Sequence, residues 1–391
     1  MRQYAKHIRT RKKILVIFAI LILYVLHSTI HIYIDSSYLA TLIGESRVGL
    51  IFTLASLVTI GAIKLMPRML RAIGNQRLAL YLMGIQFASL SALATSPAPL
   101  LGIVLFIINF AAIALTTYTL DIFIQHYSEK GSIGKIRGFM LTMANVGWLF
   151  APLIASFILT DGDYWKIYLT SFILLIPAFI LVISYLGDFR DKVFKETPYL
   201  RSLRSLWRRK DLLGIYLISF LLNLFFTWMV IYTPLYLHGT IGFEWSEIGV
   251  MLSIMLLPFV LLEAPLGRLS DTGLGEKELL SAGFVIMAVA TYFLVYLDSP
   301  NFLLWTLVLF VSRIGASTVE VMSETYFFKK FGDKDITTLG LFRTIRPFSY
   351  LIGPILAWPF FIYFDFKFLF VFLAFLMFYG LRFSLSLHDT K

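Results

Sequence analysis

Residues 187–211 read GDFRDKVFKETPYLRSLRSLWRRKD, the only long charged stretch in a chain of 391 residues, and eight of its positions are basic. Hydropathy rises sharply on both sides of it, and the composition of the whole chain says what those flanks are. Hydrophobic side chains make up 59% of the residues and charged ones 15%, against about 25% charged in an average soluble domain, and the mean hydropathy is +0.81. A soluble globular protein is excluded. Cysteine is absent, so no disulfide framework, thiol nucleophile or thiolate metal site can form.

Working outward from the linker, apolar runs bounded by charges, Gly or Pro lie near 14–34, 47–66, 78–96, 100–124, 138–159 and 167–186 on its amino-terminal side. On the other side they lie near 212–233, 247–266, 279–297, 302–328, 339–362 and 368–386. A helix needs about 20 apolar residues to cross a bilayer core, so the pattern predicts an all-α integral membrane protein with twelve spans. The first run follows a basic cluster, Arg2 to Lys13, but is too long for a signal-peptide core and has no small-x-small cleavage site, so it reads as a retained span.

With the amino terminus in the cytoplasm and the residues at the run edges counted with the loops, 27 Lys and Arg, Arg382 among them, fall on the inside and only Arg47, Lys166 and Lys367 on the outside. The remaining four, Lys64, Arg313, Arg343 and Arg346, fall within spans. Lys and Arg are retained on the cytoplasmic side, which predicts both termini and the linker there, in a plasma-membrane protein. The net charge of +11 is then mostly an orientation signal. It needs no nucleic-acid partner, and attraction to anionic lipid is an adequate further use of it.

The six spans on either side of the linker overlay at a shift of about 200 residues. Gly49 matches Gly249; Thr119, Asp121 and Gln125 fall on Thr318, Glu320 and Glu324; Gly138, Thr142 and Pro152 fall on Gly340, Thr344 and Pro354. Several coincidences at nearly one offset indicate duplication. The predicted organisation is an amino-terminal six-helix bundle over 1–186, a cytoplasmic linker over 187–211 and a carboxy-terminal six-helix bundle over 212–391. Two such halves rocking about a central site supply the geometry of alternating access.

After the eighth predicted span the chain reads Glu263-Ala-Pro265-Leu-Gly267-Arg268-Leu269-Ser-Asp271-Thr-Gly273. This resembles the cytoplasmic-loop signature of the major facilitator superfamily, G-x-L-x-D followed by a basic, glycine-containing turn. Combined with twelve spans, the repeat and the central basic linker, the resemblance covers the whole chain. It implies the two-bundle fold of that family, secondary transport, and a gating role for Gly267 and Asp271, with Glu263 and Pro265 part of the same signature. The matching loop of the first half departs from the pattern: Pro67 stands for the glycine and Arg71 for the aspartate.

Charges in the bilayer cost about 2.5–3.5 kcal/mol each at the centre of a span and should be rare, yet here they cluster. Arg313, Glu320 and Glu324 in the tenth span are 7 and 4 residues apart and share one helix face. Counting inward from the cytoplasmic ends pairs Glu324 with Arg343 and Glu320 with Arg346, a two-rung ladder between the tenth and eleventh spans. Its rungs serve either to lock two helices together or in gating, proton coupling or substrate binding. Arg313 lies nearer the midplane, a natural anion site and the leading candidate for a substrate contact. In the first half the ladder positions are Gln125 with Thr142 and Asp121 with Asn145, and Asp121 has a competing structural partner in Arg137.

The first span carries a polar stripe of Tyr24, His27, Ser28, His31 and Asp35. The family resemblance implies that the first, fourth, seventh and tenth helices line the cavity, which nominates His27, His31, Asn109, Asn223 and Trp228, with Asn145 beside them. Two histidines one turn apart without a third fixed ligand do not make a metal site, and no metal or cofactor is expected. No P-loop, H-E-x-x-H or G-x-S-x-G occurs, so the chain reads as neither an ATP-driven pump nor an enzyme.

The expected function is proton-coupled movement of a small solute by a monomer in the lipid bilayer, with a non-transporting receptor or scaffold as the alternative. Two solute classes remain open. Thirty-seven Phe suit efflux of a hydrophobic compound, although lipid contact also explains them, and the intramembrane arginines suit an organic anion.

Overall fold

The computed structural model describes residues 2–127, 133–159, 162–187, 209–272, 275–331, 342 and 344–388. Among them the chain is helical, and it divides into two compact units, residues 1–43 with 54–196 and residues 44–53 with 197–391. Most of the linker, 188–208, lies outside the described residues.

The amino-terminal part of the chain supplies α1 (Arg2–Thr29), α2 (Asp35–Ile43), α3 (Glu45–Ile73), α4 (Asn75–Leu93), α5 (Pro99–Tyr127), α6 (Ile133–Ile158) and α7 (Tyr164–Tyr185). The remainder supplies α8 (Lys210–Ile231), α9 (Trp245–Thr272), α10 (Glu276–Phe293), α11 (Phe302–Phe331), α12 (Ile345–Tyr363) and α13 (Phe368–Ser386). A bilayer core offers no water to backbone amides and carbonyls, so each crossing segment satisfies them within its own helix.

Nine helices among the described residues are long and apolar enough to cross a membrane: α3, α5, α7 and α8 to α13. The other expected spans fall on α1, α4 and α6. Of these, α1 and α6 carry shorter apolar stretches, Leu15–Thr29 and Ala144–Ile158, and α4 opens on Asn75, Gln76 and Arg77 and carries Gln86 further along. Length and apolarity alone therefore do not reach twelve. Large apolar side chains such as Phe157, Leu303 and Tyr363 are exposed on the helices, a surface suited to lipid and not to water.

Several predicted boundaries move. The first predicted span is not one continuous helix: α1 ends at Thr29, residues 30–34 form turns, and α2 resumes at Asp35. The second, expected over 47–66, is longer. Helix α3 takes Arg47 and Pro67 inside it and ends only at Gly74, whose φ of 80° is a conformation glycine adopts without strain. The eighth runs through both Pro258 and Pro265, so the 263–271 signature occupies the last turns of α9 instead of a loop after it.

The two units share a set of contacts between repeat-equivalent helices. In the first, α1 packs on α5, α6 and α7, and α4 packs on α5 and α7. In the second, α8 packs on α11, α12 and α13, and α10 packs on α11 and α13. Replacing each helix in these contacts by its repeat equivalent turns one set into the other, whereas the extensive packing of α9 on α11 has no equivalent between α3 and α5, so helix packing carries the faint sequence repeat in part. The first unit's core joins Ile17, Ile20 and Tyr24 to Met83, Phe123, Leu175 and Val182. In the second, α10 and α11 touch through Gly283 and Gly315: a Cβ on Gly315 would lie 2.5 Å from the Gly283 carbonyl oxygen. Small residues allow this close backbone approach.

Candidate functional site

In the second unit the intramembrane charges centre on α11. Arg313 is 2% exposed, and its guanidinium carbon lies 4.8 Å from the centroid of the Phe225 ring on α8, within cation–π range. Glu320 and Glu324, two and three turns further along, are half-buried. Arg343 lies outside the described residues. Helix α12 begins at Ile345, so Arg346 occupies its first turn instead of a position two turns inside, and it is exposed.

Trp228 on α8 is 1% exposed and donates its indole N–H to the Gly353 carbonyl at 2.8 Å, with Tyr232 and Phe372 against its ring. Those contacts are packing contacts. Asn223, one turn earlier, is half-buried and donates to the Ser219 carbonyl at 2.8 Å. The side chains of Glu263, Gly267 and Asp271 lie outside the described residues, and Pro265 is exposed.

The first unit holds a more extensive buried polar cluster. His27, fully buried on α1, has Nε2 2.8 Å from Gln86 Oε1 on α4 and Nδ1 2.9 Å from Ser171 Oγ on α7. Tyr24 donates to the same Gln86 oxygen at 3.1 Å, and the Gln86 amide donates to Thr116 Oγ1 on α5 at 2.8 Å. With both ring nitrogens engaged, His27 braces three helices and Gln86 extends the brace to α5, and the pair of histidines does not present two available nitrogens to a metal.

One turn on, His31 is 3% exposed and its Nδ1 lies 2.8 Å from Asp35 Oδ2. The other carboxylate oxygen accepts a hydrogen bond from the Tyr168 hydroxyl on α7 at 3.0 Å. Asp35 is 2% exposed and stands in the first turn of α2, where the positive end of the helix dipole favours its charge. Asn109 on α5 is likewise buried, with its Oδ1 lacking a hydrogen-bond partner among the described residues. Asp121 and Asn145 are half-buried on α5 and α6.

Sequence reading placed His27 and His31 on a polar stripe but missed Gln86, Ser171 and Tyr168 as their partners. The four-residue spacing of His31 and Asp35 was visible as a local signal. Tyr168 is 133 residues from Asp35, and no local pattern marks it.

A family model described as Major Facilitator Superfamily matches residues 14–255 and 244–388. A search of curated proteins by sequence found no match. Among solved structures, the chain is similar to a mutant form of the nucleoside transporter NupG, with a TM-score of 0.74 and 16% identity, over 96% of this chain and 99% of that one. It is similar to a D-xylose-proton symporter with a TM-score of 0.72 and 16% identity, over 97% of this chain and 98% of that one. An auto-inhibited POT family peptide transporter gives a TM-score of 0.74 and 14% identity, over 96% of both chains. At these identities the likeness concerns the fold.

Proposed function

The chain belongs to the Major Facilitator Superfamily, and on that premise we propose that it moves a small organic anion across the membrane by alternating access, coupled to protons. It is a multi-pass membrane protein of a transporter family; the solute class, the coupling and a plasma-membrane location with both termini cytoplasmic are our reading. The observation that carries the solute class is Arg313: a guanidinium 2% exposed, midway along an apolar helix and faced by an aromatic ring. A fixed charge so deep is expensive unless it has a use, and a planar fork of donors suits a carboxylate. Coupling needs an intramembrane proton site, for which Glu320, the deeper of the two acids on α11 by sequence position, is the candidate read from the sequence.

The abundance of Phe favours hydrophobic efflux less, because the exposed aromatic side chains have lipid to face. The test is counterflow in proteoliposomes with a panel of small carboxylates, neutral sugars and nucleosides, and organic cations. Exchange of a carboxylate is expected, reduced by a factor of about ten to one hundred in Arg313→Gln, the loss of one charge-assisted contact. Exchange confined to apolar or cationic probes would overturn the solute class. Absence of exchange for every probe would favour the receptor or scaffold alternative.

A further inference from the structure

The break in the first membrane helix places an ionisable pair where an unbroken helix would only pack. Between Thr29 and Asp35 the backbone mixes tight and ordinary turns: Ile32 N bonds to Thr29 O and Ile34 N to His31 O, while Asp35 N also bonds to His31 O at 2.8 Å. Just past this knot, His31 and Asp35 face one another, both buried, with Tyr168 holding the far carboxylate oxygen. The contact with Asp35 takes a hydrogen on Nδ1, so in the neutral ring it is Nε2 that carries the bare lone pair. That Nε2 is buried and has no hydrogen-bond partner among the described residues. The next three side-chain oxygens, Ser36 Oγ, Ser37 Oγ and Tyr38 Oη, are in the same condition. Buried polar atoms are as a rule satisfied, so the Nε2 of His31 calls for a partner beyond the described side chains.

We propose that His31 and Asp35 form a proton-loading site in the first unit, with the proton taken up on His31 Nε2. Its role in coupling rests on the transporter reading above. Loading adds one N–H bond and nothing else: Nδ1–H stays on Asp35, and the pair passes from a net charge of −1 to zero.

Among the described residues no cation contacts the pair, and the ionisable side chains on the elements around it do not cancel that charge. Tyr24, His27 and Tyr33 come from α1 and the turn after it, Tyr38 from α2, and Tyr164 and Tyr168 from α7. Tyr118 and Asp121 are the ionisable side chains described on α5, and the described side chains of α6 include none. His27 is held by Gln86 and Ser171. Of the nearby cations, Lys166 pairs with Asp163, and Arg77 precedes Gln86 by nine residues on α4, about 13 Å along the helix. An unloaded pair is therefore a buried net negative charge, which is costly, whereas a loaded pair is a neutral one. A conformation that shuts this site from water favours the loaded form, and one that opens it to water permits release. That difference links a proton gradient to the conformational cycle.

The experiment uses the full chain, labelled with ¹⁵N-histidine, in lipid nanodiscs and in proteoliposomes. The His31 imidazole signal is identified by its disappearance in His31→Gln. As the pH falls from about 9 to about 5 it should pass from a neutral ring with one bare nitrogen to a doubly protonated ring. In Asp35→Asn the doubly protonated form should be lost over that range. Tyr168→Phe, which keeps the packing and removes one hydrogen bond to the carboxylate, should change the transition, because that carboxylate is the partner of the ring. In proteoliposomes, Asp35→Asn and His31→Gln should lose accumulation of the exchanged carboxylate under a pH gradient while retaining counterflow.

A His31 signal that stays in one form throughout overturns the proposal, as does full gradient-driven accumulation in His31→Gln. If His31 titrates as described but no probe is exchanged, the proton site stands and the transporter reading fails.

Discussion

Trp228 and Arg313 are both almost wholly buried in the second unit, and their chemistry separates their responses to substitution. Trp228→Phe keeps an aromatic ring beside Tyr232 and Phe372 but removes the donor to the Gly353 carbonyl. The expected cost is about 1 kcal/mol, read as a lowered thermal midpoint, with exchange of solute unaffected. Loss of exchange in proportion to Arg313→Gln would instead make Trp228 a solute contact. Glu320→Gln tests the other charge on α11: if that acid carries the proton, gradient-driven accumulation disappears while counterflow persists. Full accumulation in the mutant would remove Glu320 from the coupling mechanism. The Glu320–Arg346 rung is tested by a double-mutant cycle, in which two touching charges give non-additive losses and two independent ones give additive losses. Arg346 stands exposed in the first turn of α12, so the rung depends on its long side chain reaching back to α11.

Among the elements, the crossing of α10 and α11 is set by two glycines. A Cβ on Gly315 would meet the Gly283 carbonyl oxygen at 2.5 Å and the Met287 amide at 2.7 Å, backbone atoms that move only if the helices separate. Gly315→Ala should destabilise by about 1–3 kcal/mol. Gly61, exposed on α3 with nothing within 4 Å of an added Cβ, should do the opposite: Gly61→Ala removes backbone freedom from the unfolded chain and stabilises by up to about 1 kcal/mol. Thermal unfolding in one detergent ranks the two variants, and equal shifts would contradict the packing account. The ends of three helical segments are also tied together: Lys330 at the end of α11 reaches Asp211 at the start of α8 at 2.7 Å and the Tyr326 hydroxyl at 2.9 Å, and Tyr326 donates to the His388 carbonyl after α13. Burial works to lower the Lys330 pKa, but the Asp211 carboxylate and Tyr326 hydroxyl outweigh it and raise the value above the ordinary 10.5. A raised lysine contributes its stability fully below its unfolded value and loses it only as pH climbs through the folded one. The stability difference between wild type and Lys330→Gln should therefore not change through lysine titration between about pH 6 and pH 9, and a difference that vanished by pH 9 would contradict this.

At the scale of the whole molecule the orientation is testable without background, because the chain has no cysteine. Single cysteines at Lys195 and Gly239 should react with a membrane-impermeant maleimide from opposite sides, and reaction from the same side would overturn the topology. The sequence by itself determined the fold class, the repeat and the membrane segments in outline, since hydrophobicity adds up locally along a chain and a bilayer admits runs of about 20 apolar residues only as helices. It also showed that Arg313, Glu320 and Glu324 share one face of one helix, because helical periodicity is a local property. It did not show that Trp228 would be used up by Gly353, that α12 would start late enough to leave Arg346 exposed, or that the first span would break at residues 30–34. Those outcomes depend on which face of one helix meets which face of another. The same holds for the pair at that break: the four-residue spacing of His31 and Asp35 was legible, but only tertiary packing brought Tyr168 from 133 residues away and closed the site to its present burial. A buried polar atom is completed by whatever the neighbouring helix presents, and that choice is made by packing across the bundle and not by the local sequence.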